Sequence, residues 1–303
     1  MNVVAGESSF GPGKVILLGE HGVVYGQPAL AGPLSRGVRA WSEPSARTSL
    51  DIPEALSSAQ RDALERAFAR VAKLTGHPRV SVHVDSDLPP SMGLGSSGAL
   101  AVAVTRLLLR ASGERFTQAR LERVAFEMEK EFHGTPSGVD HTTSARGSLI
   151  LFRKGRASTL RPRRPVKVLI ALAGERAATK QTVLALRDRQ ARWPTRYTRL
   201  FKDIGAVVRD GASSAVSGDL EGLGDAMNVN QGQLNALGLS SLAIEEMVAR
   251  LRTAGALGAK LTGAGGDGGA VIGLFREPEP VVMKLRKAGI DCFASQLAGP
   301  EAL

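Results

Sequence analysis

The chain reads as a mixed protein of strands and helices, of the α/β or α+β class, and three observations lead there. Val80, Val82 and Val84 alternate with Ser81, His83 and Asp85, the period of a half-buried strand. Leu121, Val124, Ala125, Met128 and Phe132 recur at three- and four-residue spacing, which predicts a helix with one buried face over about 117–132. Of the 35 glycines, 13 gather in three segments: GPGKVILLGEHGVVYG at 11–26, LPPSMGLGSSG at 88–98 and KLTGAGGDGG at 260–269. They lie near the start, at a third of the length and near the end, so a site made from them draws on the whole fold.

The remaining elements follow in order. The strand at 80–84 runs into the second glycine segment, and the Ala- and Leu-rich run 99–111 that follows it reads as a helix stopping near Gly113. A buried strand is expected over 166–172, an amphipathic helix over 242–254, and a strand over 270–275 directly after the third glycine segment. The Arg- and Pro-rich stretch 161–165 is the natural boundary between two domains, 1–163 and 164–303, which suits a length of 303 residues.

Composition narrows the function. With 43% hydrophobic and 22% charged residues the chain can bury a substantial core. A single cysteine, Cys292, excludes an intrachain disulfide framework and a cysteine-rich zinc site. The five histidines show no metal-ligand spacing. The first ten residues lack the basic and apolar regions of a secretory signal, and no run approaches the ~18 apolar residues of a membrane span. A cytoplasmic protein is therefore expected. The formal net charge is +10, yet aromatics are only 4%, which leaves few stacking platforms for nucleic acid. Between His141 and Gly174 there is no acid, while Arg146, Arg153, Lys154, Arg156, Arg161, Arg163, Arg164 and Lys167 all occur. That stretch reads as a solvated hairpin face or linker rather than a nucleic-acid patch.

The second glycine segment has a direct chemical use. Glycines let backbone N–H groups approach an anion, and the helix N-terminus that follows stabilises its charge. Gly93, Gly95 and Gly98 satisfy the spacing G-x-G-x-x-G, but the preceding residues and the missing acid ~20 positions later do not suit a dinucleotide site. Gly13 and Lys14 are followed by Val15, so no Walker A loop is present. A purely structural turn is the alternative for this segment alone. Glu129 falls on or beside the buried stripe of its helix, where a carboxylate needs a partner: a bound cation or a buried arginine. Eleven positions on, GTPSGVD ends in Asp140, either held in a cleft or part of an ordinary helix-to-strand connection.

Taken together these segments resemble the GHMP kinases, a family named for galactokinase, homoserine kinase, mevalonate kinase and phosphomevalonate kinase. The resemblance rests on GKVILLGEHGVVYG at 13–26, FEME at 126–129 with HGTPSGVD at 133–140, MNVNQ at 227–231 with LNALG at 234–238, and the third glycine segment. It runs from about Gly11 to Phe275, and within the family it is most similar to the members that phosphorylate mevalonate. It implies an α+β chain of the GHMP kinase fold, with an N-terminal domain like domain 2 of ribosomal protein S5 and a ferredoxin-like C-terminal domain. It implies ATP-dependent phosphorylation of the primary hydroxyl of mevalonate, giving 5-phosphomevalonate. By the same resemblance Pro90, Gly93, Leu94, Gly95, Ser96, Ser97 and Gly98, with Gly263, Gly265 and Gly266, hold ATP. Ser97 and Glu129 would hold Mg²⁺. Asp140 would be the base and Lys14 its partner, while Glu20, His21 and Thr179 would line the mevalonate side. The expected partners are mevalonate and ATP, with no membrane and no nucleic acid, and with room for a homodimer.

The chain departs from the family pattern in three places. Asp267 interrupts the third run of glycines, and a side chain turned to solvent is expected there. Gly22 follows His21 where relatives commonly have Ala. His141 stands where Asn is common after the base, and could tune its neighbour. The alternatives are a related kinase acting on phosphomevalonate or a sugar, and a non-catalytic basic protein of the same fold that binds nucleic acid or regulates.

Overall fold

A computed structural model of the chain describes residues 7–51, 57–90, 92–134, 136–174 and 179–298. The chain divides into two compact units. The first takes residues up to Lys14, Arg36–Leu88 and Gly95–Gly147; the second takes Val15–Ser35, Pro89–Leu94 and the residues from Ser148 onward. Two long strands, β1 (Ser8–Leu18) and β2 (Ala29–Pro44), pair with each other and supply residues to both units.

In the first unit the later half of β2 pairs antiparallel with β4 (Val80–Ser86), from Val38 opposite Ser86 to Pro44 opposite Val80, and the short β3 (Ser49–Leu50) runs parallel to β4. Four helices complete it: α1 (Ser58–Leu74), α2 (Ser96–Ala111), α3 (Gln118–His133) and α4 (Val139–Arg146). Local chemistry sets their starts. Ser57 and Gln60 form a reciprocal capping box at α1, and the Thr117 hydroxyl accepts from the Arg120 N–H at α3. Helix α2 is buried on almost every side, with Val102, Val104, Leu107, Leu108 and Leu109 fully enclosed, so it is the axis on which α3 and α4 pack.

The expected turn before Asp140 is half right. Gly138 does turn, in a left-handed conformation, but Val139 then opens α4, so the connection runs from helix to helix rather than from helix to strand. The eight residues VDHTTSAR carry no apolar stripe, yet His141, Thr142, Thr143 and Ser144 are all buried. Thr143 returns its hydroxyl proton to the Val139 carbonyl, the local satisfaction that lets such residues sit inside.

In the second unit the first residues of β2 pair with β5 (Ile150–Arg153), which forms a hairpin with β6 (Arg156–Thr159). A second sheet holds β7 (Val166–Ala173), β8 (Gly258–Thr262), β9 (Gly269–Phe275) and β10 (Cys292–Ala298), all antiparallel, in the order β10-β7-β9-β8. Counted along the chain this is 4-1-3-2. Helices α5 (Thr179–Arg192), α6 (Pro194–Ser217), α7 (Leu220–Ala236) and α8 (Leu242–Thr253) lie between strands 1 and 2, and α9 (Glu279–Lys287) lies between 3 and 4. That is the ferredoxin-like arrangement the sequence led one to expect, with extra helices in the first crossover. Ile170 on β7 faces Ile272 and Phe293 on its two neighbours, all buried.

The basic stretch is only partly a hairpin: Arg153, Lys154 and Arg156 lie on the β5–β6 hairpin, Arg161, Arg163 and Arg164 in the link that follows, Arg146 on α4 and Lys167 on β7. The Arg146 Nε donates to Glu122 at 2.7 Å, the Arg153 Nε donates to the Gly26 carbonyl at 3.0 Å, and Lys167 pairs with Glu277 at 2.9 Å. Several of its charges are thus engaged within the fold. Among the described residues no helix is long and apolar enough to cross a membrane.

Candidate active site

In the first unit, Lys14 lies on β1 and is only 4% exposed. A buried ammonium is costly without a counter-charge. Asp140 supplies it, with Oδ1 3.1 Å from Nζ. Asp140 sits in the first turn of α4, where the helix N-terminus favours a carboxylate, and its side chain keeps 28% of its exposure. A carboxylate that is charged, held and still reachable can accept a proton.

The start of α2 faces the same pair. Gly95 caps it in a left-handed conformation (φ 75°, ψ 30°), with no side-chain cap and no acid in the first turn. The first N–H groups of a helix have no intrahelical acceptor, so they are available to an anion. Ser96 and Ser97 are half-buried beside them. Two glycines make the approach feasible. A Cβ on Gly95 would fall 2.6 Å from Lys14 Cγ, and one on Gly98 would fall 2.9 Å from the Asp140 carbonyl carbon and the His141 nitrogen.

Glu129 of α3 faces inward as expected and is 1% exposed. Its protein partner is a histidine rather than an arginine: Oε2 lies 2.7 Å from His141 Nδ1. His141 therefore serves Glu129, not the adjacent Asp140. The other oxygen, Oε1, is buried without a hydrogen-bond partner. One turn further along α3, His133 Nε2 lies 3.0 Å from Ser97 Oγ. Both residues expected to hold a metal thus have an imidazole beside them.

The second unit carries the other expected residues. Glu20 and Lys260 are each fully buried, and the Lys260 ammonium donates to Glu20 Oε1 and to the Leu261 carbonyl. Next to Glu20, His21 holds a left-handed backbone (φ 57°), uncommon for a residue with a side chain and typical of functional sites. Its Nε2 lies 2.9 Å from the Ala264 carbonyl. Burial pushes the imidazole below its usual pKa, against the opposing pull of that carbonyl, so the neutral ring donates Nε2–H to Ala264. Gly263, Gly265 and Gly266 all have positive φ, and Gly263 lies against Gly93 so closely that a Cβ on either would come within 3.2 Å of the other's Cα. Leu94 is buried and Pro90 exposed in the segment leading to α2. Asp267 is exposed, as expected, and its backbone carbonyl accepts from Ser241 Oγ. Thr179 opens α5, but its side chain lies outside the described residues.

Three polar residues of this unit were missed. Thr262 Oγ1 accepts from the Ile16 N–H and donates to the Ile16 carbonyl, Asn230 Oδ1 accepts from the Gly19 N–H, and Lys260 partners Glu20. Asn230 and Lys260 fasten the GEH turn itself, and Thr262 the strand leading into it, to segments more than 200 residues away. Only the Asn within MNVNQ and the Lys and Thr before the third glycine run hinted at them, and their spacing carries no chemistry by itself.

Comparison with known proteins agrees in both halves of the chain. Residues 62–148 match the family model described as the GHMP kinases N terminal domain, and residues 212–291 match that described as GHMP kinases C terminal. A mevalonate kinase of Aeropyrum pernix is 37% identical over 286 residues, covering 88% of this chain and 88% of its own length. One from Thermococcus gammatolerans is 33% identical over 288 residues, covering 85% and 86%. Among solved structures, the L. major mevalonate kinase in complex with R-mevalonate superposes with a TM-score of 0.84 at 28% identity, covering 97% of each chain.

Two outcomes follow from Lys260 and His21 in the second unit. Lys260→Met takes the ammonium from beside Glu20 and should lower the free energy of unfolding by about 3–5 kcal/mol in a denaturant titration. For His21, the folded chain binds fewer protons than the unfolded chain, because burial lowers its pKa. The stability tied to this group is complete above about pH 6.5 and is lost as pH falls below that value. Melting temperatures taken from pH 8 downward should therefore fall less for His21→Gln than for the wild-type chain.

Proposed function

This chain belongs to the GHMP kinase family, and from that premise we propose that it transfers the γ-phosphoryl group of ATP to the primary hydroxyl of mevalonate, giving 5-phosphomevalonate. The single observation that carries the mechanism is the Lys14–Asp140 pair at the glycine-built start of α2. The substrate rests on the relatives, which are mevalonate kinases at 33% and 37% identity over most of both chains.

Phosphoryl transfer asks a protein mainly for position and charge stabilisation. Asp140 accepts the proton of the attacking hydroxyl through its carboxylate, which the Lys14 ammonium holds in place at 3.1 Å. The Lys14 ammonium then stabilises the developing alkoxide. Ser96, Ser97 and Gly98 offer first-turn N–H groups to the phosphates of ATP, with Gly93, Leu94, Gly95 and Pro90 forming the approach. Gly263, Gly265 and Gly266 are assigned to the nucleotide as well. Glu20, His21 and Thr179 belong to the mevalonate side, and Lys260 keeps Glu20 and the turn at His21 in place. The catalytic N-terminal domain is taken as residues 1–163 and the substrate-side C-terminal domain as 164–303; the two family matches fall on either side of that border.

Ser97 and Glu129 are the residues to hold Mg²⁺. Their chemistry suits it: a hydroxyl and a single carboxylate are what a magnesium ion takes from a protein when phosphates and water complete its octahedron. Glu129 Oε1 is buried and otherwise without a partner, and among the described residues no cluster of three or more His, Cys, Asp or Glu offers a rival site. When bound, the ion supplies neutralisation of phosphate charge.

The test is ADP release from Mg·ATP with mevalonate, phosphomevalonate, galactose or homoserine. Turnover is expected on mevalonate, and turnover only on another alcohol would move the substrate assignment. Asp140→Ala should lower kcat by about 10²–10⁴-fold in a chain that still folds and binds ATP; unchanged kcat would remove Asp140 as the base. Gly98→Ala adds a methyl group against the Asp140 backbone, and a base displaced by roughly 1 Å should cost about 10²-fold in kcat with the circular dichroism spectrum retained.

A further inference from the structure

His141 has no part in the proton transfer, yet it is buried, and its placement is specific. Its Nδ1 lies 2.7 Å from Glu129 Oε2, while Nε2 is 3.4 Å from Thr142 Oγ1 and the ring packs against Phe126 with centroids 4.9 Å apart. An ionised carboxylate only accepts hydrogen bonds, so the bond to Glu129 requires the hydrogen on Nδ1. The imidazole cannot turn away, because Phe126 lies against its face and the first turns of α4 hold its backbone. Glu129 is therefore asymmetric: one oxygen is tied by a fixed donor, and the other is buried and unsatisfied. A buried polar atom left without a partner is unfavourable and calls for an explanation.

We infer that His141 is a positioning residue for the metal: by tying Oε2 it fixes the Glu129 carboxylate in the one orientation that presents Oε1 as a divalent-cation donor. This rests on Glu129 being a magnesium donor in the kinase reaction proposed above. Groups that orient a ligand in this way commonly carry a 10–100-fold share of metal affinity. Asn at position 141 would keep an N–H donor near the place of Nδ1, whereas Leu has none.

The experiment measures binding of a non-hydrolysable ATP analogue to the full chain by calorimetry, in Mg²⁺ and in EDTA. The readout is the ratio of the two affinities. In the wild-type chain Mg²⁺ should tighten binding, and Glu129→Gln should abolish most of that gain. His141→Leu should lose about 10-fold or more of the gain while its EDTA affinity stays within about 2-fold of wild type. His141→Asn should restore it. If Leu does not fold at this buried position, His141→Met, also without an N–H, takes its place. Loss of affinity to the same degree with and without Mg²⁺ would make His141 merely structural and overturn the inference. So would a wild-type gain in His141→Leu when Glu129→Gln has lost it. A wild-type gain in Glu129→Gln would instead overturn the role of Glu129 itself.

Discussion

The first unit is arranged around a spatial constraint at the start of α2, where two side chains are missing. Lys14 can lie along Gly95, and the backbone of α4 can lie along Gly98, because neither glycine has a Cβ to hold them off. Without that proximity the ammonium of Lys14 would not reach Asp140, and a buried lysine would have no counter-charge. The same two glycines open the helix N-terminus to an anion. One local property of the sequence thus serves the proposed base, its partner and the proposed phosphate cradle together, and it accords with α2 being otherwise so apolar. A helix that fixes three things at once has to be held rigidly, and Leu107, Leu108 and Leu109 hold it.

Polar pairs with at least one buried member recur through both units: Lys14 with Asp140, Glu129 with His141, and Lys260 with Glu20. Pairs of this kind contribute little net stability compared with apolar residues of similar size, because desolvation offsets their attraction. Breaking one is nevertheless costly. Their value lies in position. Each fixes a side chain or a turn to which the family pattern gives a chemical task, and two of them join segments more than 100 residues apart. The stability that tolerates them comes from elsewhere, from the apolar interior of α2 in one unit and the four-stranded sheet in the other.

What the sequence disclosed, and what it hid, follows the same division. Helices α2 and α3 and strands β7 and β9 were legible to within a few residues, because one buried face or a fully buried run leaves a periodic trace. The inward turn of Glu129 was legible for the same reason, since it shares the stripe of Leu121 and Met128. Helix α4 was not legible. Its residues are polar and buried on short local hydrogen bonds, so periodicity has nothing to register. Nor could spacing reveal that Glu129 meets His141 or that Glu20 meets Lys260, since pairing across the chain is decided by the fold and not by neighbours. Motif resemblance located Glu20, but said nothing of the lysine 240 positions away that buries with it.

The Lys14–Asp140 pair also bears on how charge is kept in balance during the proposed reaction. Before transfer, the site holds one buried ammonium and one carboxylate. When Asp140 takes the hydroxyl proton it becomes neutral, and Lys14, 4% exposed, would be left as an isolated charge in a poorly solvated place. The negative charge has not vanished, however. It now sits on the substrate oxygen that lost the proton. Lys14 therefore has an anionic neighbour before and after, provided the oxygen lies within its reach as the carboxylate does. The environment that makes an unaccompanied ammonium costly is the one that favours the alkoxide over the alcohol. Burial of Lys14 is then a chemical feature as much as a structural one: exposed to water, the same ammonium would be screened and would favour neither state.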